Sequence, residues 1–117
     1  LEEKMLEKRR EVRIPVENLP ECLKNVVITT GFFQEHTAVT VDASNSGMGF
    51  FIEGMGDNVL YNGQNLTLKV LPFNYKLKSR VTYAKEVGDD KIRFGVCFNK
   101  EKDLDKYHEL LELEIYK

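Results

Sequence analysis

The chain has 117 residues, 42% of them hydrophobic and 31% charged, which suits one globular core and is too short for two ordinary domains. Seventeen Lys and Arg against nineteen Asp and Glu leave a net charge of −2, which argues against a general binder of nucleic-acid backbone. Apolar runs are only a few residues long, so a membrane-spanning helix is excluded, and the charged N-terminus lacks the apolar centre of a secretory leader.

In chain order, residues 1–10 (LEEKMLEKRR) are good helix formers with apolar side chains only at Leu1, Met5 and Leu6. They read as a short solvated helix or a linker. Pro15 and Pro20 oppose helix before them, so residues 7–20 are expected to connect into the fold, with a helical turn or loop over 19–23. From Asn25 the pattern has a period of two. Val39 and Val41 alternate with Thr40 and Asp42, and Met48, Phe50 and Ile52 share a face. Leu66, Leu68 and Val70 alternate with Thr67 and Lys69. Over 75–87, Leu77, Val81, Tyr83 and Val87 fall on one face and Lys76, Lys78, Arg80, Thr82 and Glu86 on the other. Ile92, Phe94, Val96 and Phe98 alternate with Lys91, Arg93, Gly95 and Cys97. These are half-buried antiparallel strands, apolar side inward.

Asn62-Gly63 and Gly88-Asp89-Asp90 read as hairpin-type turns. Short strands separated by turns predict a sandwich or a barrel, and a barrel leaves no open edges. The tail, residues 103–116, changes to helical spacing through Leu104, Tyr107, Leu111 and Ile115, with Asp103 as the expected N-cap.

No catalytic set stands out. His36 is expected in a turn and His108 on the surface of the tail helix, and neither has metal-type spacing. Cys22 and Cys97 are far apart and read as reduced thiols. Two segments do suggest a site. Residues 8–13 carry Lys8, Arg9, Arg10 and Arg13 against a single Glu11. Arg9 and Arg13, four apart, share a face in a helix or in a strand, and guanidinium forks suit phosphate oxygens, the guanine edge and stacking on a purine. Taken alone, this is more simply a charged surface. The second segment is Asp42-Ala43-Ser44-Asn45-Ser46-Gly47 between two strands. Asp42 can accept from a guanine edge, Ser44 and the turn amides can donate to phosphate, and Gly47 permits positive φ or close approach. Alone, it is an ordinary polar turn.

Together, Arg9-x-x-x-Arg13 and Asp42-x-Ser44-x-x-Gly47, in this order, resemble the signature of the PilZ domain, the bacterial receptor module for cyclic di-GMP. The Arg13-Ile14-Pro15-Val16 lead-in, the Gly-Met-Gly-Phe run at 47–50 and the 94–98 strand fit as well, so the resemblance spans about residues 7–115. Ala43 and Asn45 depart from the usual residues at positions outside the motif. The resemblance implies a mainly β fold: a six- to seven-stranded antiparallel barrel with a C-terminal α-helix and a flexible arginine-rich N-terminal segment. The chain is read as one domain, 1–117, with a linker or switch at 1–16, the barrel at 25–99 and the helix at 103–116. Because the first residue is Leu1, it is expected to be excised from a longer protein.

The implied ligand is cyclic di-GMP, bound by Arg9, Arg10, Arg13, Asp42, Ser44 and Gly47, with Lys8 as an accessory contact for a second nucleotide. No catalysis, metal or cofactor is implied. The implied role is a cytoplasmic receptor that switches an upstream domain or a partner protein controlling motility, exopolysaccharide or biofilm-type outputs. The alternatives are a barrel that binds proteins independently of nucleotide and, less favoured by the charge, a single-strand-binding barrel.

Overall fold

The computed structural model describes residues 12–30, 34–56 and 59–113. In chain order the strands are β1 (Ile14–Pro15), β2 (Asn25–Thr30), β3 (Gln34–Ala43), β4 (Gly47–Glu53), β5 (Asn65–Val70), β6 (Tyr75–Gly88) and β7 (Lys91–Cys97), followed by helix α1 (Glu101–Leu111). Two 3-10 turns, Val16–Asn18 and Glu21–Leu23, join β1 to β2, so the 19–23 stretch includes a helical turn.

Hydrogen-bonded neighbours run β3–β2–β5–β6–β7–β4, and β4 pairs back onto β3. Six antiparallel strands therefore close into a barrel, which removes the open edges of a sheet. β1 lies outside this ring, paired to β3 with Ile14 opposite Ala43 and Pro15 opposite Asp42. The barrel is filled by alternate side chains, among them Ile28, Met48, Phe50, Leu68, Leu77 and Phe94. The rings of Phe50 and Phe94 meet at 5.2 Å between centroids. Each such side chain contributes roughly 1.5–3 kcal/mol by leaving water.

The inward face differs from the period-two reading in two strands. In β3, Thr40 is 2% exposed and Val39 53%, the reverse of the expected order. The Thr40 hydroxyl is satisfied inside because it donates to the Leu23 carbonyl at 2.5 Å. The register then slips between Thr40 and Asp42, a β-bulge that absorbs Val41. In β6, Leu77 and Val81 face inward as expected, but the register slips between Val81 and Tyr83. Beyond it Tyr83 is 39% exposed, and a second slip between Glu86 and Gly88 falls at Val87, which is 47% exposed. A bulge adds one residue to one strand, so the side chains after it change face until the next bulge.

Three smaller corrections follow. His36 lies within β3, opposite Ile28, and not in a turn. Gly88-Asp89-Asp90 does close the β6–β7 hairpin, but Asn62-Gly63 lies in the connection from β4 to β5, which are not neighbours in the barrel. Gly63 adopts φ +92° there and donates its N–H to the Val81 carbonyl. The helix starts at Glu101 with Lys100 as N-cap, so Asp103 is not the cap. Asp103 is instead buried in the first turn, where its carboxylate accepts the Lys78 N–H at 3.1 Å and ties the helix to β6. Tyr107 and Leu110 are the helix's buried apolar residues, with Leu104 and Leu111 half-buried. The helix ends at Leu111 with Glu112 as its C-cap, short of the expected 116, and Ile115 lies outside the described residues.

Candidate functional site

The bulge in β3 turns Asp42 to the outer surface and Ala43 into the core. The bulge in β6 turns Tyr83 to the same surface. Between them the register places Asp42 opposite Gly49, Gly49 opposite Gly95, and Gly95 opposite Tyr83. Two adjacent strands thus present a floor without side chains, walled by a carboxylate and an aromatic ring. Neighbouring groups already use this space. A methyl group on Gly49 would lie 2.7 Å from Asp42 Oδ1 and 2.8 Å from Arg93 Nη1, and one on Gly95 would lie 2.4 Å from the Tyr83 ring.

Arg93 projects from β7 over this floor. Its Nη1 donates to the carbonyls of Phe94 and Phe50 at 3.3 and 3.4 Å, and its guanidinium stands 5.4 and 5.7 Å from the rings of Phe51 and Tyr83. Such cation–π placement holds the planar fork while leaving donors for a ligand. From the other side, β1 carries Arg13 to the row. Arg13 Nη2 lies 3.3 Å from Asp42 Oδ1, with the Arg13 side chain half exposed. The contact has ion-pair distance without hydrogen-bond alignment, and Oδ1 is buried and accepts no hydrogen bond among the described residues. Among the described residues, two guanidinium groups thus flank one carboxylate whose Oδ1 has no hydrogen-bond donor.

The turn that follows, residues 44–46, is tight. The Ser44 N–H donates to the Gly47 carbonyl at 2.9 Å, and the Ser44 hydroxyl lies 3.5 Å from the same oxygen. Ser44 is only 2% exposed. At Gly47 a methyl group would sit 2.1 Å from the Val96 carbonyl oxygen, so glycine is needed here for close approach of β4 to β7.

A family model described as the PilZ domain matches residues 7–115. The chain belongs to the PilZ family. Among solved structures, this PilZ chain is similar to the PlzA protein of Borreliella burgdorferi in complex with c-di-GMP, with TM-score 0.64 and 14% identity over 94% of this chain and 43% of that one. It is also similar to the PilZ domain with c-di-GMP of YcgR from Escherichia coli, with TM-score 0.59 and 15% identity over 89% and 88% of the two chains. YcgR in complex with c-di-GMP gives 0.54 and 18% over 92% and 47%. The chain therefore spans less than half of PlzA. At these identities the likeness is one of fold. Among curated proteins no sequence matches.

Of the residues expected to form the PilZ site, the structure brings Arg13 and Asp42 together and sets Ser44 and Gly47 in the adjoining turn. The Ser44 side chain is buried with its hydroxyl toward the Gly47 carbonyl oxygen. Lys8, Arg9 and Arg10 lie outside the described residues. The motif reading missed Arg93, Tyr83, Gly49 and Gly95. Glycines two residues before Phe51 and two after Arg93 were the available signal, but only strand pairing sets them side by side. Among the described residues no group of three or more His, Cys, Asp or Glu could hold a metal ion, and no helix is long and apolar enough to cross a membrane.

Proposed function

We propose that this PilZ chain binds cyclic di-GMP over the outer face of β3, β4 and β7, and that it acts as a cytoplasmic receptor without catalytic activity. One observation carries the reading: β1 delivers the last arginine of the Arg9-x-x-x-Arg13 motif onto the aspartate of the Asp42-x-Ser44-x-x-Gly47 motif, 3.3 Å away. The nucleotide complexes of PlzA and YcgR support it by likeness of fold. In this reading Arg9, Arg10 and Arg13 take phosphates and guanine, with Lys8 as an accessory cation. Asp42 Oδ1, which has no hydrogen-bond donor among the described residues, receives N–H groups of a guanine edge. Arg93 and Tyr83 line the glycine floor beside it. Ser44 and Gly47 hold the shape of the turn.

Cyclic di-GMP joins two phosphates and two guanines, so both charge and stacking are matched by guanidinium groups. Arginines on a segment next to the barrel couple occupancy to the position of that segment, which we take as the switch acting on a neighbouring domain or effector. Calorimetric titration of the intact chain near physiological salt tests the reading. Saturable binding of cyclic di-GMP is expected, and no binding under those conditions would end it.

A further inference from the structure

Resting on the nucleotide-binding reading, we infer that helix α1 positions the 44–47 turn for the ligand through Tyr107 and His108, and that ligand occupancy is felt in turn by this helix. The β3–β4 ladder ends at the pair Ala43 and Met48, and within the turn only Gly47 is in a strand pair, opposite Cys97 of β7, so strand pairing leaves residues 44–46 unheld. The four carbonyls of the turn all receive donors. Tyr107 Oη donates to the Ser44 carbonyl at 2.5 Å and lies 3.0 Å from the Gly47 carbonyl, sharing one proton between two acceptors. His108 Nε2 stands 2.7 Å from the Asn45 carbonyl. A carbonyl only accepts, so this nitrogen carries the proton. The Phe98 N–H donates to the Ser46 carbonyl at 2.9 Å, and the Ser44 N–H closes the set on Gly47.

Three of these four carbonyls thus depend on two consecutive helix residues more than fifty positions away in sequence. The anchor is stiff. Tyr107 is fully buried, and its ring packs 4.4 Å from that of Phe98, the residue that holds Ser46. With its carbonyls drawn toward the helix, the turn is oriented between Asp42 at one end and the close-packed Gly47 at the other. A ligand that prefers this docked geometry must strengthen helix docking by the factor by which docking strengthens the ligand. Tyr107 and His108 are positioning residues: they act through the turn and need not touch nucleotide.

The test titrates cyclic di-GMP into the intact wild-type chain and into Tyr107→Phe, His108→Ala and His108→Gln. Amide exchange of residues 101–111 is followed with and without nucleotide. Tyr107→Phe keeps the ring and removes the donor, whereas His108→Ala removes a partly exposed side chain and keeps the barrel core. Each is expected to weaken binding about five- to tenfold, as loss of one or two hydrogen bonds implies. His108→Gln, whose amide restores an N–H donor, is expected to return affinity to within about twofold. Saturating nucleotide is expected to slow exchange in the helix. A merely structural role would not produce the glutamine rescue or the ligand-dependent exchange. Wild-type binding with folded His108→Ala and Tyr107→Phe chains binding equally well would overturn this inference alone, as would helix exchange unmoved by saturating nucleotide. If Tyr107→Phe fails to fold, His108→Ala and His108→Gln decide. A wild-type chain that binds no cyclic di-GMP overturns the parent reading and this one with it.

Discussion

At the scale of single residues, the glycines of the site do different work, and their surroundings separate them. The space at Gly47 is closed by backbone: a methyl group would meet the Val96 carbonyl oxygen at 2.1 Å and the Cys97 Cα at 3.2 Å. Neither can yield without parting β4 from β7. The space at Gly95 is closed by the Tyr83 ring, the end of an exposed side chain that can swing outward. Gly47→Ala is therefore expected to cost roughly 1–3 kcal/mol, the usual range for overpacking, and Gly95→Ala clearly less. Urea unfolding of the two variants checks the order. Equal losses would mean that the Tyr83 ring is as immobile as backbone. Asp42 shows the converse case, a residue whose position was legible but whose state was not. The D-x-S-x-x-G spacing singles it out, yet nothing in the spacing says that one of its oxygens is buried with no hydrogen-bond donor among the described residues.

At the scale of elements, alternation was a good guide to β4, β5 and β7, where an inward apolar side chain recurs every second residue without interruption. It failed in β3 and β6 for one shared reason. A bulge is a geometric event with no residue type of its own, so Val41 and Thr82 look like ordinary strand positions in the sequence. The same two bulges aim Asp42 and Tyr83 outward, so the part of the fold that could not be read is the part that builds the site. β3 misled in a second way. Val39 suits the core better than Thr40 by composition, but the 3-10 turn Glu21–Leu23 offers a carbonyl to a buried hydroxyl and thereby makes threonine the better inward residue. The Thr40 N–H also donates, to the Lys24 carbonyl, at 2.9 Å. Thr40→Val discriminates the two orientations. An outward threonine would tolerate valine with little change. The inward Thr40 is expected to lose about 1–3 kcal/mol, because the Leu23 carbonyl loses its donor in the interior. Thermal or chemical unfolding measures the difference.

At the scale of the whole molecule, the net charge of −2 averages over opposed regions. Residues 8–13 concentrate four positive charges against one negative, while acidic side chains are dispersed over the barrel and helix. This distribution determines how binding responds to salt. A nucleic-acid polymer releases many counterions when a protein neutralises its backbone, and affinity then falls about 10³- to 10⁵-fold between 50 and 200 mM salt. Cyclic di-GMP presents two phosphates, and much of the proposed recognition uses groups that salt screens poorly: the hydrogen-bond acceptor of Asp42 and stacking against guanidinium planes. Affinity for the nucleotide is therefore expected to fall by no more than roughly tenfold over the same range, and a random single-stranded oligonucleotide is expected not to compete at physiological salt. Arg13→Ala sharpens the test. Its contact with Asp42 is half exposed, so the variant should unfold within about 1 kcal/mol of wild type, yet it removes one of the two cations flanking the carboxylate and should weaken the nucleotide at least about tenfold. A thousandfold salt effect, or an Arg13→Ala chain that binds as wild type does, would locate recognition in diffuse charge instead of in the row from Asp42 to Tyr83.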